Sequence, residues 1–398
     1  GGHGGDYGGG GGGFGLPDIG IAGGNGGFGG GGGGGGAYVL ETYLGDGGNG
    51  GFGGGGGGST MPSGSGGQGG FLGGNAGKGG VAGGGGGGAA GGAIFVRPDH
   101  GASLTIEDST LDGGTVTAGN GANGGQNGQT SGSAIFLSEG TTVFGGSGTT
   151  AVAGSMGQSS ASSVRKTGAG LLTLSGTNSY SGETSIDGGT LSVSRDDNLG
   201  AASGSLSFNG GTLRTTGNIE MTRQVGIGSG GGTFDLANET FLTILGTVSG
   251  TGGLTKSGSG YLTLVGAQTY SGPTSVDGGF FKIESGSLAS SSVHLSSASF
   301  LLSNSTGVLA ADITGSGTFA RGGAGASVLT GTAAQTVFTR IESGTLQIGN
   351  GGTAGALLGD VQNDGTLSVN RSDDSAYAGT ISGTGTVRTA GTGTFTLS

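Results

Sequence analysis

A block of 28 residues occurs twice in this chain without a gap, at 166–193 and again at 256–283. Fifteen of the 28 positions are identical between the two copies. A more divergent copy lies at 321–348, and a fourth begins at Thr389 and runs to the last residue. Self-similarity of this kind marks proteins in which each unit buries its apolar face only by stacking on the next unit. The chain is therefore predicted to be a repeat protein.

Apolar residues recur in pairs two positions apart, both inside and outside these blocks. Period two places both members of a pair on one face of a β-strand and turns the residue between them outward. The predicted core positions of the two clearest copies are Leu172, Leu174, Leu191, Val193, Leu262, Leu264, Phe281 and Ile283. Thr173, Ser192 and Thr263 are predicted to face solvent. Such short strands, bounded by glycine turns, favour a β-solenoid with two or three strands in each coil.

Two turn motifs, Tyr-Ser-Gly and Asp-Gly-Gly, recur at matching positions of the copies. The predicted turn residues are Tyr180, Gly182, Asp187, Gly188, Gly189, Tyr270, Gly272, Asp277, Gly278 and Gly279. We expect the tyrosines to cover the edge of the core rather than to form a ladder for sugars. The aspartates are expected to cap their own turns, because Ca²⁺ needs six to eight oxygens and each repeat supplies one carboxylate.

Residues 1–92 differ in composition from residues 93–398. Of the 114 glycines in the chain, 53 lie in the first 100 residues, and the string GGNGGFGGGGGG occurs identically at 23–34 and 47–58. One interpretation is a flexible linker, because glycine is the costliest residue to order. The exact duplication favours the other, which is extended polyglycine-like structure packed on the solenoid, with Phe28 and Phe52 as anchors.

Composition and the pattern of reactive side chains argue against several classes of function. Thirteen basic residues stand against 24 acidic ones, which argues against nucleic acid as a partner, and the absence of cysteine excludes disulfides and thiolate metal sites. The acidic pairs at 107–108, 196–197 and 373–374 do not predict a glycosidase, because adjacent carboxylates in a strand point to opposite faces. We therefore expect no catalysis, no metal and no cofactor.

Outward threonine and serine residues raise the alternative of a face for ice or crystalline polysaccharide. Such a face needs threonine in the same slot of many successive coils. In this sequence the outward slots vary among threonine, serine, Lys282, Gln347 and Asp235. This variation predicts an ordinary solvated face.

The blocks resemble the passenger-associated transport repeat of bacterial autotransporters. The resemblance rests on Lys166, on the glycines and Leu-Thr-Leu that follow it, on Tyr-Ser-Gly at 180–182 and Asp-Gly-Gly at 187–189, and on their counterparts from Lys256 onward. It covers about 164–216 and 253–283, is weaker over 318–348 and 389–398, and says little about the first 160 residues. It implies a right-handed parallel β-helix, exported through an outer-membrane β-barrel with the help of the repeat.

The expected function is that of a structural or adhesive rod on the outer surface of a Gram-negative bacterium. A polysaccharide-acting enzyme on the same scaffold, and a carbohydrate- or ice-binding module, remain the alternatives. The fourth copy ends in the core-type strand 394–398. We therefore expect either further coils of the same polypeptide or a homotypic contact at this end, because unpaired strands recruit partners. A cell-surface or polysaccharide ligand is compatible with both.

Overall fold

The computed structural model describes residues 3, 9–10, 22–26, 31–33, 46–51, 54–59, 65–70, 73–77, 84–85, 89–90, 94–96, 103–137, 139–297, 299–303 and 306–398. These residues form a parallel β-solenoid of about 13 turns, and the single helical element among them is the 3₁₀ turn Asp196–Leu199. The prediction of an all-β parallel solenoid is confirmed.

Three parallel sheets run along the solenoid, and a typical coil contributes one strand to each. Sheet 1 contains Ser103–Ile106, Gly140–Phe144, Ser162–Lys166, Thr184–Ile186, Leu206–Phe208, Val225–Ile227 and Val248–Gly250. Single bridges at Gln268 and Leu288 continue it to Val308–Leu309, Ala326–Leu329, Thr345–Ile348, Thr366–Val369 and Thr386–Thr389.

Sheet 2 follows sheet 1 in every coil and is the longest unbroken sheet. It contains Thr110–Leu111, Thr149–Val152, Leu171–Leu174, Thr190–Val193, Thr212–Thr215, Gly232–Leu236, Leu254–Ser257, Thr274–Val276, Ser292–Leu295, Asp312–Gly315, Thr332–Ala333 and Ala356–Leu357. The pair Ser375–Tyr377 and Phe395–Leu397 occupies the same place in the last two coils.

Sheet 3 closes each coil. It contains Ile219–Met221, Phe241–Ile244, Tyr261–Leu264, Gly279–Ile283, Ser299–Ser303, Thr318–Arg321, Phe338–Ile341, Val361–Asn363 and Ile381–Ser382. A shorter sheet of Ile94–Val96, Ile135–Leu137 and Met156–Gln158 precedes it, and Ala89–Ala90 pairs separately with Thr130–Ser131.

Two asparagines bridge sheet 3 where the chain forms no strand. The Asn178 side chain accepts a hydrogen bond from the backbone N–H of Met156 at 2.8 Å and donates one to the carbonyl of Asn198 at 2.6 Å. The Asn198 side chain in turn donates to the carbonyl of Gly176 at 3.0 Å. Amide side chains thus replace the missing ladder bonds, which keeps buried backbone groups satisfied.

The core is a set of apolar columns parallel to the solenoid axis. Leu172 pairs in register with Leu191, which pairs with Leu213 in the following coil, and each is 0% exposed. Because parallel strands without a register shift place like residues on top of each other, every inward side chain contacts its counterpart one coil away. Burial of each such side chain contributes about 1.5–3 kcal/mol.

The spacing between copies, for example 90 residues between the first two, is not a whole number of coils, so successive copies start on different sheets. The first residue of the copy lies in sheet 1 at Lys166, in sheet 2 at Lys256, in sheet 3 at Arg321 and again in sheet 1 at Thr389. Each copy is thus displaced by one face around the axis. Equivalent repeat positions consequently face different directions around the axis.

The described part of the glycine-rich segment is held by backbone hydrogen bonds between glycines far apart in sequence. Gly33 donates to Gly24, Gly48 to Gly33, Gly57 to Gly48 and Gly67 to Gly57, at 2.7–2.9 Å. The N–H of Gly23 donates to the carbonyl of Asp46, and the N–H of Gly26 donates to the carbonyl of Asn49. From one bond to the next, donor and acceptor each advance by three residues. Three residues per turn is the period of the polyproline II helix, whose backbone groups are free to bond laterally.

A row of side chains runs beside these glycines. The Asn25 N–H donates to His3 Nδ1 at 3.0 Å, the Asn49 N–H to Asn25 Oδ1 at 2.8 Å, and the Gln68 N–H to Asn49 Oδ1 at 2.8 Å. Gln126 donates to the Asn75 carbonyl at 2.7 Å and thereby bonds this segment to the loop 113–129. The predicted anchors Phe28 and Phe52 lie outside the described residues.

Within the part of the chain that the structure describes, no helix has both the length and the hydropathy needed to span a bilayer.

Candidate functional surfaces of the solenoid

The two repeat tyrosines point into the solenoid. Tyr180 and Tyr270 are 2% and 0% exposed, and their hydroxyls bond to Thr184 Oγ1 at 2.9 Å and Thr274 Oγ1 at 2.7 Å. Burial raises the pKa of both phenols above its usual range. Neither ring is available at the surface for a sugar.

The glycines of the repeat occupy sharp corners where chains come close. Gly189 and Gly279 have φ of 59° and 64°, in the left-handed region that favours glycine. A Cβ at Gly182 would lie 2.4 Å from the Ser162 carbonyl, and one at Gly272 would lie 2.3 Å from the carbonyl oxygen of Gly252. At the same corners, Gly188 and Gly278 offer carbonyls to the lysines described next.

The turn aspartates lie at the outer rim of the coil. Asp187 accepts a hydrogen bond from Arg165 Nε at 2.5 Å, and Asp277 accepts one from Ser275 Oγ at 2.5 Å. Each therefore has a protein partner, and the described residues hold no group of three or more His, Cys, Asp or Glu side chains able to bind a metal ion.

A buried cation begins each of the first three repeat copies, and no motif in the sequence pointed to a function for it. Lys256 donates to the carbonyls of Ser257, Gly258 and Gly278 at 2.8, 2.8 and 3.0 Å, and Lys166 bonds to the equivalent three carbonyls. Arg321 binds the carbonyls of Ser303, Gly325 and Thr345. Each cation thus fastens the corner of its own coil to the next.

The burial of Lys256 predicts a dependence of stability on pH. Desolvation lowers the pKa of Lys256 to about 8 in the folded protein, whereas the unfolded chain has a value near 10.5. Between these values the unfolded state binds more protons, so the free energy of unfolding is expected to rise with pH, on the order of 1–2 kcal/mol between pH 8 and 10. Above pH 10 the buried tyrosines reverse the trend, because they ionise only on unfolding.

Denaturant titrations at pH 7.5 to 10 measure this effect. Lys256→Met should reduce the rise but not abolish it, because burial also lowers the pKa of Lys166. Lys282→Met, a substitution of a lysine in an outward slot, should retain the full rise. An undiminished rise in Lys256→Met would contradict the assignment.

Arg223 is a second buried cation that lies outside the repeat. Its guanidinium binds both carboxylate oxygens of Asp196 at 2.9 Å, and its side chain is fully buried. It also donates to the carbonyls of Asp196, Leu199, Gly200, Ala201 and Gly204. A single side chain therefore holds the loop that follows the first repeat against the next coil.

The other acidic pairs are engaged in the same way rather than converging on a cleft. Asp373 accepts two hydrogen bonds from Arg371, at 3.0 and 2.7 Å, and Asp197 accepts one from Arg195 at 3.1 Å. Asp108 accepts from the Gly148 N–H at 2.8 Å. Each carboxylate stabilises a neighbouring turn or coil.

Sheet 3 carries an aromatic stack on its outer surface that the sequence analysis missed. Phe241, Tyr261 and Phe280 stack nearly parallel with ring centroids 4.6 and 4.4 Å apart, and Phe300 follows at 5.3 Å with a tilted ring. Stacked rings in neighbouring strands contribute about 0.5–1.5 kcal/mol per pair beyond their burial. Because the ring faces contact each other, only their edges form an apolar ridge.

Sheet 2 carries an outward column in which six of seven successive side chains bear a hydroxyl and the other is His294; we call it the hydroxyl column. The in-register partners are Thr190, Thr212, Thr233, Thr255, Ser275, His294 and Thr314. Threonine recurs in this column more regularly than expected, but Leu171 precedes Thr190 in register, and the other outward column of sheet 2, which contains Arg214 and Asp235, is irregular.

A groove accompanies the middle of this column. It has a volume of about 460 Å³ and is lined by Thr233, Thr255, Ser275 and His294 together with the glycine stretches 230–232 and 252–253. His294 lies at one end and approaches Thr314 Oγ1 at 3.4 Å. It is also the one titratable side chain in the lining.

The family comparison agrees with the fold. The passenger-associated transport repeat matches residues 164–193 and 254–283, the first two copies of the block. These repeats and the parallel solenoid are features of autotransporter passengers, the class of protein to which this chain is similar, and they support a place at the extracellular or outer-membrane surface of Gram-negative bacteria.

One relative is informative. Over 224 residues the chain is 31% identical to the adhesin BmaC autotransporter of Brucella suis biovar 1 (strain 1330). The match covers 56% of this chain and 5% of the length of that protein. No solved structure matches the chain.

Proposed function

We propose that this chain is a rigid surface rod that mediates adhesion and performs no catalysis. It is exported as a passenger through an outer-membrane β-barrel, with its transport repeats assisting secretion. The observation that carries the proposal is the unbroken parallel solenoid, which supports a long exposed surface without needing disulfides or metals. The similarity to an adhesin supports the same function.

The distribution of charged groups also supports a structural rather than a catalytic role. Arg223, Arg371 and Arg195 each bind a neighbouring aspartate, and the buried lysines bind backbone carbonyls. An acid–base enzyme instead needs two titratable groups that face one substrate. In the described residues these groups are used to hold coils together.

The test is a gain of adhesion by a non-adherent bacterium. The chain is displayed by fusion to a signal peptide and an autotransporter translocator, and a non-adhesive passenger of similar length is displayed at equal surface density. We expect severalfold more attached bacteria on epithelial monolayers or on matrix-coated plates. Equal attachment, with the rod shown to be folded by protease resistance, would contradict the proposal.

A further inference from the structure

The hydroxyl column and its groove form a binding site for which the structure offers a specific ligand class. We propose that the groove binds an extended, neutral β-linked polysaccharide, which lies along the solenoid axis. This inference rests on the proposed adhesive function and names its ligand.

The geometry of the groove suits a linear polymer. Its lining extends from Gly210 to His294 and includes residues of five successive coils. Since neighbouring parallel strands lie about 4.8 Å apart, the groove is about 19 Å long, and four of its five coils each present one side chain of the column. A volume of about 460 Å³ is typical of ligand clefts. A repeated polar group at constant spacing fits a chain of repeated sugar units better than a compact ligand.

The hydroxyls of the column are available for hydrogen bonding. Among the described residues, the side chains of Thr190, Thr212, Thr233 and Thr255 have no protein hydrogen-bond partner, and all four are partly exposed. A hydroxyl both donates and accepts, as do the hydroxyls of a sugar. The glycines beside Thr233 and Thr255 leave room for a ligand backbone to approach.

The charges around the groove favour a neutral ligand. The lining contains no Asp, Glu, Lys or Arg. In the neighbouring outward column, Asp235 is paired with Arg214 at 2.8 Å, and Asp277 lies beside Ser275. An acidic polysaccharide would meet these carboxylates without an unpaired basic group to bind it. The same charged side chains interrupt the flat two-column hydroxyl array that an ice surface would require.

A double substitution isolates the hydroxyls. Thr233→Val with Thr255→Val removes two oxygens while keeping the branched shape and the strand preference. Thr243→Val with Thr263→Val is the matched control, because these threonines lie in the same two coils, are paired in the same way, and face outward from sheet 3.

The probes are cellohexaose, maltohexaose and hexagalacturonate, measured by calorimetry with the whole chain. We expect cellohexaose to bind, and to bind at least about fivefold more weakly to the Thr233/Thr255 variant but unchanged to the control. Absence of cellohexaose binding, preference for hexagalacturonate or maltohexaose, or equal losses in both variants would overturn the inference. If the chain mediates adhesion but does not bind cellohexaose, the inference about the groove is wrong and the proposed adhesive function stands. If it binds cellohexaose but does not mediate adhesion, the adhesive function is wrong and the groove assignment stands.

Discussion

Replacing Arg223 by methionine is expected to lower the free energy of unfolding by about 3–5 kcal/mol. The substitution fills the same space but removes the bidentate partner of Asp196 and the donors to five backbone carbonyls. Leu199, Gly200 and Gly204 are buried, so solvent cannot replace the bonds to their carbonyls without opening the coil, whereas the Asp196 carboxylate is 23% exposed and keeps some access to water.

Arg214→Met is the matched control for this prediction. Arg214 forms a single-contact ion pair with Asp235 at 2.8 Å, but its side chain is 51% exposed, so its loss should cost less than about 1 kcal/mol. Urea denaturation followed by circular dichroism compares the two variants. Equal destabilisation would show that Arg223 is not a structural anchor.

The second large effect is expected in the core of the first repeat. Leu174→Asp should destabilise the protein by several kcal/mol, because it places a charge without a partner in an apolar column. Leu174 is 1% exposed and is flanked in neighbouring coils by the buried Val152 and Val193. Thr173→Asp changes the adjacent outward residue and should cost far less.

Protease resistance and denaturant midpoints measure this pair of variants. Since side chains alternate between the two faces of a strand, the large difference between adjacent positions is a direct consequence of the register. Similar losses at Leu174 and Thr173 would contradict the assigned faces.

Local sequence patterns predicted the fold because the direction of each side chain is set by its place within a single strand or turn. Leu172 and Leu174 alternate with Thr173, and the residues at these positions lie where period two places them. The parallel pairing was expected from the short strands between glycine turns and from the family resemblance; it does not stack equivalent repeat positions, which lie on different sheets. The polyglycine-like interpretation rests on composition, and the hydrogen bonds of Gly33, Gly48 and Gly57 support it in the described residues.

The surface features were beyond the sequence for a geometric reason. The first two copies start 90 residues apart, which is not a whole number of coils of about twenty residues, so Lys166 and Lys256 begin their copies on different sheets. Residues that form one column, such as Thr233 and Thr255, lie outside the copies at 166–193 and 256–283, so a comparison of the copies could not bring them together. The aromatic stack was missed for the same reason, because Tyr261 lies inside the repeat and Phe241 lies outside it.

The anchoring role of the buried cations also needed the structure. Lysine is usually exposed, and nothing in the sequence around Lys256 indicates that three carbonyls converge on its ammonium group. One signal was present, because a cation opens each of the first three copies while neighbouring positions vary.

The register of the coils is the central claim, and disulfide cross-linking tests it most directly because the chain has no cysteine of its own. Thr233→Cys combined with Thr255→Cys places two thiols on paired strands about 4.8 Å apart, within the range that a disulfide bridges. Thr243→Cys with Thr255→Cys places them in neighbouring coils but on different sheets. The structure predicts rapid, nearly complete oxidation of the first pair and none within the second. Equal cross-linking of both pairs, or failure of the first in the folded protein, would contradict the parallel in-register solenoid.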